Sequence, residues 1–159
     1  MKNLFIAVLA LFTTIAYAQT HQIVKHNGEK LDVNYVRNQN NIVYYTLPGS
    51  TLENQISMYA INKLTRKTDN QLLVYSNKVM VSAESDFKNV VVLPAHQTIG
   101  LTNAEVIVKP VKMIKGHSPM SLVEMTKKRI KKEASLKGFP FVTFSEVQYG
   151  KIQAIAYKY

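Results

Sequence analysis

The chain has 159 residues, 20 Lys and Arg against 10 Asp and Glu, a formal net charge of +10, and no cysteine. Without thiols it can form neither a disulfide nor a lipid-anchoring thioether, so stability has to come from an apolar core, for which this length is enough to build one domain or two small ones. The basic balance points to polyanionic partners and says nothing of the fold.

In chain order, Met1-Lys2-Asn3 is a positively charged start, Leu4 to Phe12 is unbroken apolar sequence continued by Thr13, Thr14 and Ile15, and Ala16-Tyr17-Ala18 is a small-x-small exit. Those are the three parts of a secretory signal, so residues 1–18 are expected to be removed and the mature protein to begin near Gln19. A membrane span needs about 20 apolar residues, and this run ends before Gln19-Thr20-His21-Gln22. No later stretch is long enough, so no transmembrane segment is expected in the mature chain. Export to the periplasm or beyond argues against a nucleic-acid partner. It favours lipid head groups, lipopolysaccharide phosphates and acidic polysaccharides instead.

Residues 20–82 alternate like strands. His21 to His26 leads into Asn27-Gly28, a dipeptide suited to a type I′ turn. Glu29 to Arg37 sets Leu31, Val33 and Tyr35 on one face, and Val36 breaks that alternation as a bulge or strand end would. After the polar turn Asn38 to Asn41 come strands over Ile42–Leu47, Gln55–Tyr59, Ile61–Arg66 and Leu72–Tyr75. Residues 76–88 mark the best boundary.

In the second half, Asn89 to Leu93 is an apolar run stopped by Pro94, and Ala104 to Ile114 is a strand whose Pro110 suits an edge or a bulge. A helix follows over about 119–137. Ser118 caps it with Pro119 at the first position, Ser121 and Glu124 offer an alternative capping box, and Gly138 and Pro140 stop it. Leu122, Val123, Thr126, Ile130 and Ala134 make one face apolar. Phe141–Gln148 and Lys151–Tyr159 close the chain as a hairpin turning at Tyr149-Gly150, and small alanines in the last strand admit the helix closely. The fold class is thus α+β: an antiparallel β-hairpin module over 19–82, then a β-β-α-β-β unit over 83–159 with one amphipathic helix on an antiparallel sheet.

Ile23-Val24-Lys25 with Asn27-Gly28-Glu29, then Ile42-Val43-Tyr44, Ile56-Ser57 and Ile61-Asn62-Lys63-Leu64, resembles a β module recurrent in small exported proteins of Gram-negative bacteria. The helix, glycine and final hairpin over 118–158 resemble small envelope domains. The resemblance implies an envelope location and carries no functional residue with it. The anchoring cysteine of many such proteins is absent here.

No catalytic motif, phosphate-binding glycine loop or metal-ligand spacing stands out, and no cofactor is implied. His21 and His26 are five apart on a strand, so they point to opposite faces. A metal site would have to combine His96 with acids such as Glu84 and Asp86. The strongest local feature is Lys127, Lys128, Arg129, Lys131 and Lys132 on the helix, with Lys109, Lys112 and Lys115 upstream. Such a run is either the solvated face of an amphipathic helix or an attachment patch for an anionic envelope component. The expectation is an exported, non-enzymatic interaction or scaffold module using that patch. Alternatives are a ligand- or peptide-binding cleft between the halves lined by Tyr44, Tyr45 and Tyr149, a hydrolase, or an eight-stranded outer-membrane barrel ending in Gln153, Ile155, Tyr157 and Tyr159.

Overall fold

The computed structural model describes residues 20–159; the expected leader over 1–18 lies outside the described residues. The described chain is α+β, with mostly antiparallel strands in two sheets and one α-helix.

The first sheet contains β1 (His21–Lys25), β2 (Lys30–Gln39), β3 (Ile42–Thr46), β4 (Glu53–Ser57), β5 (Ile61–Arg66) and β6 (Leu72–Tyr75). Their spatial order is β4-β3-β2-β1-β5-β6, with every neighbour antiparallel. Along β2, Tyr35 pairs with Tyr45 and Arg37 with Tyr44, so Val36 is an extra residue in the ladder. That is the physical content of the broken alternation: a bulge sharpens local twist and lets the long strand curl. Ile23, Val33, Val43, Ile56, Ile61 and Leu64 form its buried core cluster.

The turn chemistry differs from expectation. Asn27-Gly28 does not form a type I′ turn, which needs two left-handed residues; only Gly28 is left-handed, at φ +92°. The Gly28 amide donates to the Lys25 carbonyl at 3.0 Å, closing a three-residue loop whose left-handed glycine rejoins the strand. Paired left-handed residues occur instead at Asn40-Asn41, between β2 and β3, and at Tyr149-Gly150.

The second sheet contains β7 (Val91–Val92), β8 (Thr102–Pro110), β9 (Phe141–Phe144) and β10 (Lys151–Lys158), in the order β7-β9-β10-β8. β7 runs parallel to β9, and the other pairs are antiparallel. The expected strand over 89–93 shrinks to two residues, because Asn89 is the cap of a 3-10 turn over Glu84–Lys88 and Pro94 ends the run. β8 stops at Pro110 rather than Ile114, although the Val111 amide still reaches the Gly150 carbonyl at 2.8 Å. Both sheets are open, so the strands do not close as an eight-stranded barrel would.

Helix α1 (Pro119–Leu136) starts at Ser118, whose hydroxyl accepts the Ser121 amide at 3.2 Å, with proline in the first turn. It ends at Lys137, followed by left-handed Gly138. Leu122, Thr126, Ile130 and Ala134 are its buried face, and Ile130 and Ala134 belong to one core cluster with Ile107, Val142, Ile152, Ala154 and Ala156. Burying Leu122 and Ile130 contributes about 1.5–3 kcal/mol each. The methyl-sized Ala154 and Ala156 set how closely the helix sits.

Between the sheets, Phe141 meets Tyr59 at 5.7 Å and Tyr159 at 5.2 Å between ring centroids, both edge to face. Tyr159 in turn packs against His26 at 4.6 Å. Next to this row, the Ser57 amide donates to the Ile99 carbonyl at 2.9 Å. Gly100 is left-handed there, and a Cβ at that position would lie 2.8 Å from Ile56 Cγ1. Only glycine lets the 95–101 segment lie this close to the first sheet.

Candidate functional site

The five basic residues of the helix do not form one uniform face. A step of about 100° per residue distributes Lys127, Lys131 and Lys128 to one side of the exposed arc and Lys132 and Arg129 to the other. The 3-10 turn Glu84–Lys88 lies along the helix between them. Lys132 pairs with Glu84 at 2.5 Å, and Lys128 Nζ stands 5.1 Å from the centroid of the Phe87 ring.

A groove flanks the helix on each side of that contact. The larger, about 710 Å³, is lined by Glu84, Lys109, Lys112, Arg129, Lys132, Glu133 and Lys137 among others. Its charges are largely matched from within. Lys109 pairs with Glu133 at 2.5 Å, and Lys137 bridges Glu105 at 2.6 Å and Glu133 at 3.0 Å. Accordingly the Lys109 bond holds the Glu133 carboxyl below its ordinary range, and the Glu105 bond raises the Lys137 ammonium. Arg129 donates to the Thr126 hydroxyl at 3.0 Å and, more weakly, to the Pro110 carbonyl at 3.4 Å; the Thr126 hydroxyl itself donates to the Leu122 carbonyl. This side works chiefly as a clamp that fastens β8 to the helix.

The smaller groove, about 530 Å³, is different. Phe87, Val92 and Met125 give it an apolar floor, and Lys127, Lys128, Lys131 and Glu124 line it. Of its lysines only Lys127 has a carboxylate partner among the described residues, Glu124 at 2.8 Å. Lys128 rests on Phe87. Lys131 is half-buried with no carboxylate partner among the described residues, and burial alone pulls its ammonium below the ordinary lysine value. A cation that has lost water and gained no counter-ion would be stabilised by an incoming anion.

Other residues singled out from the sequence are not brought together. Tyr44 lies under the Arg37 guanidinium at 3.9 Å, Tyr45 packs on the core of the first sheet, and Tyr149 stands at the tip of the β9–β10 turn. The rings that meet between the sheets are Tyr59, Phe141 and Tyr159 instead. Glu84 is committed to Lys132, and Asp86 accepts the amides of Ser82 and Ala83 at 3.0 Å each. Among the described residues, no group of three or more His, Asp or Glu side chains converges as a metal site would require, so His96, Glu84 and Asp86 are not gathered. No helix among the described residues is long and apolar enough to cross a membrane.

His26 and Ser76, fifty residues apart, form a contact that no spacing rule would find, Nε2 to Oγ at 2.9 Å. The Ser76 hydroxyl spends its single proton on the Ile61 carbonyl at 2.6 Å, so His26 must be the donor to Ser76. That direction is the reverse of a serine activated by a histidine base. The pair ties the turn after β1 to the segment after β6.

No protein-family model, no curated protein and no solved structure matches this chain.

Proposed function

We propose that this chain is an exported, non-enzymatic interaction module of the bacterial envelope that binds an anionic component through its lysine-bearing helix. The observation that supports this reading most is the groove of Phe87, Val92 and Met125 beneath Lys127, Lys128 and Lys131, two of whose three ammonium groups have no carboxylate partner among the described residues. Apolar floor and cationic wall together fit a ligand carrying phosphate or carboxylate next to hydrocarbon or sugar-ring surface. Arg129 and Lys132, the remaining basic residues of the patch, hold the scaffold through the Pro110 carbonyl and Glu84 and add long-range attraction. No cofactor has a role in this reading.

The test is binding of the mature chain to purified lipopolysaccharide and to an acidic polysaccharide, at low and at high salt. Replacing Lys127, Lys128 and Lys131 with Gln should leave the circular dichroism spectrum unchanged and weaken binding by roughly a hundredfold, taking about 1 kcal/mol per lysine near an anionic surface. Added salt should do the same to the parent protein, because screening acts within about 8 Å at physiological ionic strength. Binding that ignores both salt and the triple substitution removes the reading. Export has its own check: mass spectrometry of the native product should find a mature terminus near Gln19.

A further inference from the structure

One end of the molecule combines apolar exposure with uncompensated positive charge. After β8, the loop 111–118 carries Met113 at 83 % exposure and Ile114 at 43 %, and Met120 in the first helical turn is 77 % exposed. The β9–β10 turn lies directly beside it, since the Val111 amide donates to the Gly150 carbonyl at 2.8 Å. That turn presents Tyr149 at 99 % exposure with Val147 close by at 48 %. The loop itself is shaped by a turn in which the His117 amide donates to the Ile114 carbonyl, with left-handed Gly116 inside it.

The charge around these side chains has one sign over a long stretch. From Val106 to Val123 the sequence contains no Asp or Glu, while Lys109, Lys112 and Lys115 lie within it. Lys109 is drawn inward to Glu133, and Lys112 and Lys115 remain exposed beside Met113 and Ile114. On the hairpin, Lys151 follows the turn, and Glu146 is the one acid between Ser145 and Lys151. Large apolar side chains at a tip, a tyrosine beside them and lysines with flexible stems form the pattern of an element that enters a head-group layer.

Tyr149 carries a second signal. It is a non-glycine residue held at φ +49°, before Gly150 at φ +68°, in a two-residue turn that Asn-Gly or Gly-Gly would form with less strain. The Gln148 and Lys151 backbones exchange hydrogen bonds of 3.0 and 2.9 Å across it. A fully exposed aromatic ring at this position contributes nothing to the core, and its backbone conformation is unfavourable.

We infer that this end, formed by Met113, Ile114, Met120 and Tyr149 with Lys112 and Lys115, docks onto the surface of an anionic lipid bilayer. The site is separate from the helix groove and does not depend on it. The apolar tips enter the head-group region while the ammonium groups meet lipid phosphates.

The chain has no tryptophan, so Met113→Trp and Tyr149→Trp each install a single reporter. Leu52→Trp, at an exposed site between β3 and β4, is the control. With vesicles containing phosphatidylglycerol, emission from positions 113 and 149 should shift to the blue and be quenched by brominated lipid, and emission from position 52 should not change. Phosphatidylcholine vesicles should give little of either effect. Tyr149→Asn should fold at least as well as the parent, yet partition onto the anionic vesicles roughly ten- to a hundredfold more weakly, the ratio for burying one large side chain. The Lys127, Lys128 and Lys131 triple variant should keep the insertion signal, so loss of the groove reading and loss of this one are distinguishable. Reporters at 113 and 149 that stay water-exposed, or that insert equally into neutral vesicles, overturn the inference.

Discussion

Phe141 is the residue on which the two sheets bear most directly. It is fully buried, pairs with Val91 on one side and Tyr157 on the other, and touches both Tyr59 and Tyr159 edge-on. Phe141→Ala removes the ring and leaves a cavity between Tyr59 and Tyr159, for which the expected cost is about 3–5 kcal/mol. Each edge-to-face contact contributes roughly 0.5–1.5 kcal/mol beyond its buried area, which places the estimate near the upper part of that range. At about 2–4 °C per kcal/mol for a protein of this size, the melting temperature should fall by on the order of 10 °C. Guanidinium unfolding followed by tyrosine near-UV circular dichroism measures the loss, and amide exchange locates it. Because the ring belongs to the row joining the sheets, protection should drop at Ile61 and Leu64 in the first sheet as well as at Ile152 and Ala154 in the second. Phe141→Leu, which keeps most of the volume, should cost under about 1.5 kcal/mol. The reasoning fails if Phe141→Ala costs no more than Phe141→Leu, or if exchange changes in the second sheet alone.

Stability should also depend on pH in the acid range. Burial is the main cause holding both His21 and His26 below the ordinary value of 6.5, helped by the charges of Arg66 and Lys78 respectively. The unfolded chain therefore takes up protons first as pH falls, so the contribution of these rings is complete above about pH 6.5 and is lost as pH drops through their folded values. Denaturant midpoints between pH 7.5 and pH 5 should decline, and His26→Gln should flatten part of the decline. Ser118→Ala should cost about 1 kcal/mol, since it removes the hydroxyl that accepts the Ser121 amide; thermal unfolding reports it. Gly100→Ala should cost about 2–4 kcal/mol, combining a left-handed φ with a Cβ driven against Ile56. A smaller effect in urea titration would mean that the 95–101 segment can lift away from the sheet.

The features legible in the amino-acid string are those set by neighbours a few residues apart. Ser118-Pro119 and Gly138 bracket the helix through local backbone chemistry, and the apolar spacing from Leu122 to Ala134 selects its buried face. Val36 registers as a break because a bulge shifts side-chain parity within one strand. What is set between distant residues was not legible. Asn27-Gly28 has the better composition for a type I′ turn, yet the strand offsets on either side demand a three-residue loop there and place the two-residue form at Asn40-Asn41. The parallel pairing of Val91 with Phe141 spans fifty residues and leaves no periodic trace. The basic patch was visible as five cations, but its division into a neutralised clamp and an unmatched groove depends on Glu84, Glu105 and Glu133, acids supplied by other elements or other turns. The exposed tip is not legible in the string for a related reason. Met113 and Tyr149 lie 36 positions apart and become one surface only when Val111 bonds to Gly150.

Strand order bears on how the chain acquires its shape as it is delivered. In the first sheet β1 occupies the interior, but β2 to β6 can attach to it or to one another soon after each emerges, because most partners are close in sequence. The second sheet has no such option: its interior position between β8 and β9 is reserved for β10, which follows both in the chain. Until residue 158 is free, β8 has no ladder partner and the helix lacks much of its floor, since Ile152, Ala154 and Ala156 are still missing. A ribosome-stalled or C-terminally clipped product should therefore carry a folded first sheet attached to a disordered remainder with apolar side chains in water. Such a species would attract proteases and holding chaperones until β10 takes its place between β8 and β9.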